Sequence, residues 1–560
     1  MYNALLRQWC EYLLSRQRAD GGFDCEACDT VHGRADNAVF PFVYMYAKTG
    51  DGRFADAVRG LLRFRKLLSH SDGSVQNDFN TDWKGITAFS AIGFFNALHY
   101  FGGVLPVDIK KELESRLSGA GEWVYRNIKE GFKANINYYA AACAVNAMCG
   151  EYFGKAEYTA RSRELLSYCL SCFTENGLIS GEGQPHKFRT EKGCAPIDIG
   201  YYFEESLPCL VSAAHILGDG AALEKLTAYA KMLLEFLLPD GGLDNSFGSR
   251  SNKWTYYGSR TSDGCLAAFA LLGKKDPVFY EAAKRQLALL KKCTAEGALY
   301  GGPQYKAAGQ KPCIHHTFCH AAALAGALCI GIPSDLPSAA LPCDGNELFY
   351  KYYPELDTYR IHAGAFIATL TAYDYKTYTY KNGAAHCSGG TLSLLYKKDT
   401  GPVIAGSVYE YRLTEINNMQ KPVGSIAHRS LAMRAEAELD GEFFATCLDG
   451  GAKITVSEGG GRLIFRVRSR FVNTDGAYFC ENDGFFADFT YEFSQNGVKI
   501  SIQPSERSGS AGFILPVVKS SVEIKTANPY KKTDIFFLTG GFCADEYEFT
   551  LDEDIIIEIK

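Results

Sequence analysis

The sequence predicts a multidomain α+β protein, with an N-terminal (α/α)6-type incomplete toroid followed by a large antiparallel β-sandwich domain. Two observations support this fold class. A glycine motif recurs between amphipathic segments up to about residue 335, and strand-like alternation with Asn-Gly and Asp-Gly turns begins near residue 345. A proline-rich connector lies between the two regions. We therefore expect a helical domain over 1–335 and a β domain over 345–560, which contributes to a shared cleft.

The recurring motif is an acidic or polar residue, one or two glycines and an apolar residue. Its copies are Asp20-Gly21-Gly22-Phe23, Asp72-Gly73-Ser74-Val75, Glu130-Gly131-Phe132, Asn176-Gly177-Leu178, Asp240-Gly241-Gly242-Leu243 and Glu296-Gly297-Ala298-Leu299. They fall roughly 45 to 65 residues apart, the length of a helical hairpin with its loops. Each copy follows an amphipathic stretch, where glycine can end a helix in the left-handed conformation. The motif therefore predicts six hairpins arranged in a ring, with these loops gathered at one mouth.

The predicted elements follow from hydrophobic periodicity. Helical spacing of apolar residues occurs in Leu5 to Leu14, Phe54 to Leu68, Ile109 to Ile128, Ala156 to Phe173, Leu223 to Leu238 and Phe279 to Leu290. Strand-like runs occur in Tyr359 to Ile361, Ala365 to Tyr373, Thr391 to Tyr396, Leu463 to Val467, Tyr491 to Phe493, Val498 to Ile502, Ile535 to Leu538 and Ile555 to Ile559.

Composition limits the functional classes. The 560 residues exceed what one compact core holds, and the net charge of −6 argues against a nucleic-acid partner without excluding an anionic substrate. The 19 cysteines lack a disulfide-scaffold spacing, which is typical of a reducing compartment. The first residues open an amphipathic helix with neither a signal pattern nor a membrane-spanning run. We therefore expect a cytoplasmic protein with no membrane partner; the oligomeric state is left open.

The segments after the glycine motifs are rich in aromatic, amide and cationic side chains. Aromatic faces stack on sugar rings, amides hydrogen-bond hydroxyls, and arginine pairs with carboxylates or sulfates. This composition favours an acidic oligo- or polysaccharide as substrate. The predicted substrate-binding residues are Arg34, Asn77, Trp83, Tyr138, Glu182, His186, Arg189, Tyr201, Arg250, Trp254, Tyr256 and His316.

Two stretches carry candidate proton-transfer groups. The first runs from Asp198 to Glu205 and opens a helix with Tyr201 and Tyr202, either of which can act as an acid or base beside cations or simply pack in the core. The second begins at His386, which enters a strand near the domain junction, where it is as compatible with a structural role as with a catalytic one.

These features resemble the heparinase II/III-like polysaccharide lyases. That family carries His-x-His-x-Asp-x-x-Ser-Phe at the start of its sandwich, and here His386 and Ser393 stand at the first His and the Ser, with Leu394 at the Phe. Ser388 and Gly390 replace the second His and the Asp, so the structural metal of zinc-containing relatives is not expected here. The downstream segment 401–407 also resembles the family's next strand.

The resemblance implies cleavage of a uronic-acid-containing glycan by β-elimination. In the family an inner-helix Asn or His neutralises the uronate carboxylate, and a later Tyr and the sandwich His handle the protons. The matching residues are Asn137, Tyr202 (with Tyr201 beside it) and His386. The proton α to the carboxylate is acidic enough only if that charge is neutralised in the transition state, and the step requires no cofactor.

Two groups have partial metal-ligand spacing. Cys25 and Cys28 form a C-x2-C pair with His32 nearby, but a fourth ligand is not evident from the sequence, and a mouth loop that brings His32 and Arg34 to the substrate is an alternative. His316 and His320 have helical i, i+4 spacing, which is also typical of a helix lining a cleft. We predict no metal at either place.

Two rival functions remain. A glycoside hydrolase of the uronyl hydrolase type would pair Asp198 with Glu182 or Glu204 in the same barrel. A non-catalytic glycan-binding protein would bind the substrate and release nothing.

Overall fold

The N-terminal region is helical. The computed structural model describes residues 2–260, 264–333, 335, 338–377, 380, 385–415, 419–421, 432–479, 485–519 and 522–560. Its helices are α1 (Tyr2–Arg16), α2 (Val39–Thr49), α3 (Gly52–Arg65), α4 (Thr87–Phe101), α5 (Val107–Asn127), α6 (Ile136–Phe153), α7 (Ala156–Leu170), α8 (Ile199–Tyr201), α9 (Leu207–Ile216), α10 (Gly220–Leu233), α11 (Leu266–Leu272), α12 (Val278–Lys292) and α13 (Ile314–Ile330). A π-helical turn, Tyr202–Ser206, joins α8 to α9.

The helices form a ring of hairpins. Helices α2, α4, α6, α9, α11 and α13 contact one another in that order, and α13 returns to α2. Outside them pack α3, α5, α7, α10 and α12, while α1 from the start of the chain packs on α13. The inner helices are apolar on nearly all sides, as in the run Tyr139–Gly150 of α6, because both of their faces are covered. The predicted six-hairpin toroid is confirmed.

The glycine of every motif copy has a positive φ, as a left-handed turn requires. The values are 95° for Gly21, 88° for Gly73, 87° for Gly131, 78° for Gly177, 89° for Gly241 and 85° for Gly297. Several of these turns press on an outer helix of the neighbouring hairpin. A Cβ on Gly21 would lie 1.9 Å from the Gly60 carbonyl oxygen in α3, and one on Gly73 would lie 2.2 Å from that of Gly119 in α5. At these copies the motif therefore packs against a neighbouring helix as well as ending its own.

The C-terminal region is built from antiparallel strands, and three short ribbons lie among the helices. The strands are β1 (Asp24–Cys25), β2 (Thr30–Val31), β3 (Trp254–Thr255), β4 (Gly258–Ser259), β5 (Thr294–Ala295), β6 (Ala298–Leu299), β7 (Leu348–Tyr353), β8 (Thr358–Ala363), β9 (Phe366–Thr371), β10 (Thr391–Lys397), β11 (Gly401–Ile404), β12 (Arg434–Leu439), β13 (Glu442–Ala445), β14 (Lys453–Gly459), β15 (Arg462–Arg470), β16 (Phe486–Ser494), β17 (Gly497–Pro504), β18 (Ser508–Val518), β19 (Ile524–Lys525), β20 (Lys531–Phe537), β21 (Phe542–Leu551) and β22 (Ile555–Ile559).

The large sheets have the strand orders β11-β10-β9-β8-β7, β13-β12-β18-β21-β20 and β14-β15-β16-β17-β22-β19. The first sheet is covered on both faces. Ile367 and Leu394 pack with the helical core, whereas Ala368 and Leu395 pack with the core that the other sheets share. This double burial explains why β9 reads as a continuous buried run rather than an alternating one.

A buried ion pair fixes the first sheet to the helical ring. Arg360 of β8 and its cross-strand partner Thr369 of β9 both bind the Asp244 carboxylate, at 2.7 and 2.5 Å. All three side chains are buried, so the charges are desolvated and stable only as a pair. Asp244 lies one residue beyond the fifth glycine motif, which links that turn directly to the sheet.

In the described part of the chain, every helix is too short or too polar to cross a membrane.

We predict that Gly73→Ala destabilises the protein by roughly 2–3 kcal/mol, because the new Cβ meets the Gly119 backbone and the residue must hold a positive φ. Gly131→Ala is the matched control. Gly131 has nearly the same φ of 87°, but a Cβ there would meet no described atom within 4 Å. Gly131→Ala should therefore lower the free energy of unfolding by only about 1 kcal/mol, the conformational cost of the positive φ. Denaturant unfolding of both variants measures the difference. Equal losses would show that docking of the turn contributes nothing.

Candidate active site

A cavity of about 480 Å³, which we call the cleft, is bordered by loops that follow the first, second, third and fifth motif copies. It is lined by Arg34, Asn77, Asp78, Thr81, Trp83, Ile86, Phe89, Lys133, Ala134, Asn135, Asn137, Tyr138, Tyr201, Glu205, Arg250, Lys253 and Glu415. Four cationic and three acidic side chains face it, although the whole chain carries a net charge of −6. The local field of the cleft is therefore more positive than that of the protein.

Asp198 positions two cleft residues together. Its carboxylate accepts hydrogen bonds from the backbone N–H of Tyr201 at 3.1 Å, as the N-cap of α8, and from that of Arg250 at 2.9 Å. Asn245 donates to the same carboxylate at 3.3 Å. Burial raises the pKa of Asp198, and these hydrogen bonds and the Arg250 charge oppose that rise. Asp198 thus joins the start of the α8 helix to the loop of the fifth motif.

The Tyr201 hydroxyl lies between two cations. Arg250 Nη1 donates to it at 3.2 Å and Lys253 Nζ at 3.3 Å. The Arg250 guanidinium also lies 4.9 Å from the centre of the Tyr201 ring. Glu415, from the β region, pairs with Lys253 and lies 4.0 Å from Arg250. Two adjacent cations favour negative charge on the phenol oxygen, so this is the group in the cleft best suited to accept a proton.

Asn137 and Arg34 meet at Glu205. The Asn137 amide nitrogen donates to one Glu205 oxygen, and Arg34 Nη1 lies 3.6 Å from the other. Asn137 is the second residue of α6, whereas Glu205 lies in the π-helical turn, whose extra residue per turn changes the direction of the following side chains. The Asn137 side-chain oxygen is buried and has no hydrogen-bond partner among the described residues.

An aromatic pair borders the other side of the cleft. Trp83 Nε1 donates to the Tyr138 hydroxyl at 2.9 Å, and the two rings meet edge to face with centroids 5.1 Å apart. Burial and then the Glu205 charge raise the pKa of Tyr138, which keeps its phenol protonated. Trp83 is partly exposed, so its ring is available to a sugar face.

The structure does not place Tyr202 in the cleft. Its side chain is fully buried against Phe173, and its hydroxyl has no hydrogen-bond partner within the described residues. Burial raises the pKa of Tyr202 well above its usual range. Successive helical side chains point about 100° apart, so only one of two adjacent tyrosines can face the cleft. That one is Tyr201, so the prediction that Tyr202 faces the cleft is wrong.

His386 also lies away from the cleft residues. It is buried beside Tyr373, and its Nε2–H donates to the Tyr375 carbonyl at 2.6 Å. Burial lowers its pKa. The other ring nitrogen, Nδ1, lies 3.1 Å from the Cys387 carbonyl oxygen, and His386 does not line the cleft with Asn137. The predicted convergence of Asn137, Tyr202 and His386 is therefore not observed.

Half of the predicted substrate-binding residues line the cleft: Arg34, Asn77, Trp83, Tyr138, Tyr201 and Arg250. Among those that do not, three follow the fourth motif. Glu182 is buried, and burial raises its pKa well above the usual range. His186 is buried and held by Tyr168 and the Ala134 carbonyl, at 2.8 and 2.7 Å. Arg189 is exposed, and its guanidinium donates to the Phe188 carbonyl.

The remaining three pack in the interior. Trp254 is fully buried and donates to the Leu243 carbonyl at 2.7 Å, and Tyr256 donates to Asp240 at 2.9 Å. His316 is buried with its Nδ1 2.9 Å from the Tyr257 hydroxyl. These aromatic residues follow the fifth and sixth motifs as predicted, but they support the loops instead of lining the cleft.

The carboxylates of the hydrolase alternative are also outside the cleft lining. Asp198 is an N-cap, and Glu204 accepts a hydrogen bond from the Ser259 backbone N–H at 2.7 Å. Glu182 has no hydrogen-bond partner for either oxygen in the described chain. None of them is placed to act on a sugar in this cavity.

Sequence reasoning missed Lys253 and Glu415. Lys253 follows Arg250 by three residues in the fifth loop, a spacing that suggests a shared face, but the short 3-10 turn Ser251–Lys253 that creates it has no clear sequence signal. Glu415 lies far along the chain in the β region, and only the fold brings it to Lys253.

One group of side chains has a metal-ligand arrangement. Cys25, Cys28, His32 and Cys313 are all buried, with one donor atom from each within 4.8 Å of the others. The fourth ligand that the sequence did not reveal is thus Cys313. The second candidate does not converge in this way, because His316 binds Tyr257 and His320 Nδ1 lies 2.9 Å from the His316 carbonyl oxygen.

Comparison with known proteins identifies the class. Residues 6–336 match the family described as the ulvan lyase N-terminal domain, and residues 350–535 match the ulvan lyase C-terminal domain. The chain is 36% identical over 438 residues to a broad-specificity ulvan lyase of Formosa agariphila, an alignment that covers 75% of this chain and 67% of that protein.

Two solved structures of low sequence identity align over nearly the whole chain. The heparan sulfate lyase HepC of Pedobacter heparinus aligns over 99% of this chain and 82% of its own, with 9% identity and a TM-score of 0.44. A heparinase III aligns over 94% and 77%, with 10% identity and a TM-score of 0.48.

The chain is a polysaccharide lyase, as predicted. More particularly, its two matched regions and its relative show that it belongs to the ulvan lyase family.

We predict that acid destabilises the fold through His316. Burial, with His320 and Arg260 nearby, lowers the pKa of His316 to about 3, so the folded protein holds it neutral while the unfolded chain binds a proton below about 6.5. Stability therefore falls as pH drops from about 6.5 toward 3, by up to about 1.4 kcal/mol per pH unit. Denaturant unfolding at several pH values measures the slope.

In His316→Gln this pH slope should be smaller, even if the variant is less stable at neutral pH. The exposed His70→Gln is the control, because it removes no buried imidazole. An unchanged slope in His316→Gln would assign the acid sensitivity to other groups.

Proposed function

We propose that this chain cleaves a uronate-containing polysaccharide by β-elimination in the cleft, with Tyr201 as the group that moves the proton. The observation that carries the proposal is the Tyr201 hydroxyl held between Arg250 and Lys253, at 3.2 and 3.3 Å. The name of the 36% identical relative makes ulvan the first substrate to test.

The reaction places two demands on the protein. First, the proton α to a uronate carboxylate must be removed and the departing 4-linked oxygen must receive a proton. Second, the negative charge that builds on the carboxylate as the proton leaves must be neutralised. Donors aimed at the developing charge in a dry site lower this barrier more than they would in water. The cleft supplies both kinds of group in buried form.

Tyr201 meets the first demand. As a phenolate stabilised by Arg250 and Lys253, it takes the α-proton, the electron pair of the C–H bond forms the new C=C bond, and the bond to the 4-linked oxygen breaks. The same phenol then donates its proton to the departing oxygen. One residue thus serves as base and acid on one face of the sugar, and no second proton carrier is required.

Arg34 and Asn137 meet the second. Both are directed at the Glu205 carboxylate, so this part of the cleft already binds a carboxylate with one guanidinium and one amide. We propose that the uronate carboxylate binds beside Glu205 and takes up part of this coordination. Neutralisation there stabilises the enolate-like transition state more than the bound substrate.

The aromatic side of the cleft supports binding. Trp83 and Tyr138 offer a rigid edge-to-face pair against which a neighbouring sugar can stack, and Asn77 and Lys133 add polar contacts around it. The expected partner is therefore an acidic polysaccharide.

The described cysteines are all free thiols, which supports the expectation of a reducing, cytoplasmic environment.

We predict that the purified chain produces ultraviolet-absorbing unsaturated sugars from ulvan. The absorbance arises from the C=C bond that elimination creates beside the carboxylate, and hydrolysis does not create it. The assay compares ulvan with other uronate polysaccharides, including heparan sulfate, while reducing ends are counted in parallel. Reducing ends without absorbance would establish a hydrolase, and neither signal on any substrate would contradict the proposed activity.

Tyr201→Phe should lower kcat/KM by about 10²–10⁴-fold, the contribution typical of a positioned acid–base group, while the ring contact with Arg250 is kept. Tyr202→Phe is the matched control. It makes the same change one residue away, at a hydroxyl without a hydrogen-bond partner in the described structure, and should leave kcat/KM near the wild-type value. The reverse result would restore Tyr202 as the proton carrier.

A further inference from the structure

Four buried side chains converge at the junction between the first and the last hairpins of the ring. Cys25 ends β1, Cys28 lies in the following turn, His32 precedes the 3-10 helix Gly33–Ala38, and Cys313 directly precedes α13. We propose that these four residues bind a structural Zn²⁺ that ties the start of the chain to the last inner helix. Nothing in the cleft chemistry proposed above requires this site.

The distances fit a tetrahedral zinc site. The sulfur of Cys313 lies 3.7 Å from that of Cys25 and 3.9 Å from that of Cys28. Zinc–sulfur bonds of about 2.3 Å in a tetrahedron place the sulfur atoms about 3.8 Å apart. A disulfide requires about 2.05 Å, so these thiols are held at ligand spacing and not at bonding distance.

The donor set fits a structural site. Three cysteines and one histidine complete a closed tetrahedron with no open position for a substrate. The Nε2 atom of His32 is buried and has no hydrogen-bond partner among the described residues, although buried polar atoms are normally paired. The His315 ring packs on His32 with centroids 4.7 Å apart, which fixes the orientation of the ligand ring.

The same sequence spacing elsewhere does not produce such a site. Cys169 and Cys172 also form a C-x2-C pair and are also buried. They lie at the end of α7, and no metal-ligating group forms around them in the described chain. Burial of paired cysteines therefore does not by itself explain the convergence of Cys25, Cys28 and Cys313.

The position of the site indicates which parts of the fold a bound metal would hold together. Cys28 and Cys313 are 285 residues apart, and the metal would join them across the point where α1 meets α13. Arg34, which lines the cleft, follows His32 by two residues. A bound metal would therefore close the ring and also fix the loop that carries a cleft cation.

The test is metal analysis of the untagged full chain, purified with a reductant from cells grown in zinc-supplemented medium. We expect about one zinc per chain, lost in Cys28→Ser and in Cys313→Ser. The matched control, Cys172→Ser, should keep the metal. Cobalt exchanged into the wild-type protein should give the thiolate-to-cobalt absorption of a tetrahedral site, a readout that does not depend on whether the variants fold.

Wild-type protein without stoichiometric zinc and without that cobalt spectrum would overturn the proposal, as would full zinc retention in Cys28→Ser. Removal of zinc by a chelator should also lower the thermal midpoint of the wild type and leave that of Cys28→Ser unchanged. These readouts are independent of lyase activity, so failure of the proposed metal and failure of the proposed reaction are distinguishable.

Discussion

The helical ring depends on glycine turns whose backbone lies directly against the backbone of a neighbouring outer helix. At two of these contacts glycine faces glycine: Gly21 meets Gly60, and Gly73 meets Gly119. A side chain on Gly21 or Gly73 would separate the two backbones, and the positive φ of the turn admits other residues only at a cost. Because these turns are held at a fixed distance from a neighbouring outer helix, the loop that follows each of them is positioned at the rim of the ring. Several loops that follow motif turns border the cleft.

This dependence explains why the ring was predictable and the site only partly so. Each motif copy carries its own local signal, since a left-handed turn after an amphipathic helix needs glycine wherever it occurs. The sequence carries no such local signal for which side chains point into the cleft. Tyr201 and Tyr202 have the same chemistry and adjacent positions, and only the geometry of the α8 start and the π-helical turn decides which one faces the cleft. His386 shows the same limit, because its burial is set by residues from other segments.

Charge pairing links this geometry to the chemistry. Arg250 and Lys253 are buried, as is Arg34, and buried cations are stable only beside anions. Glu415 and Glu205 supply those anions across the cleft. A polyanionic substrate that enters competes for the same cations, so binding can exchange one desolvated pair for another without leaving an unpaired charge. This exchange favours uronate substrates over neutral sugars, which would have to displace ion pairs and offer no charge in return.

Closing a ring of hairpins also raises a problem that local signals cannot solve, because its first and last members are separated by nearly the whole helical region. The outer helix α1 packs on the inner helix α13, which is the final element of the region. Joining elements so far apart costs chain entropy, and that cost grows with the length of the enclosed loop. The cluster of Cys25, Cys28, His32 and Cys313 lies at this junction. Cys313 is so far along the chain from the other three that it forms no sequence pattern with them. The C-x2-C pair was therefore visible in the sequence, whereas the site exists only once the ring has closed.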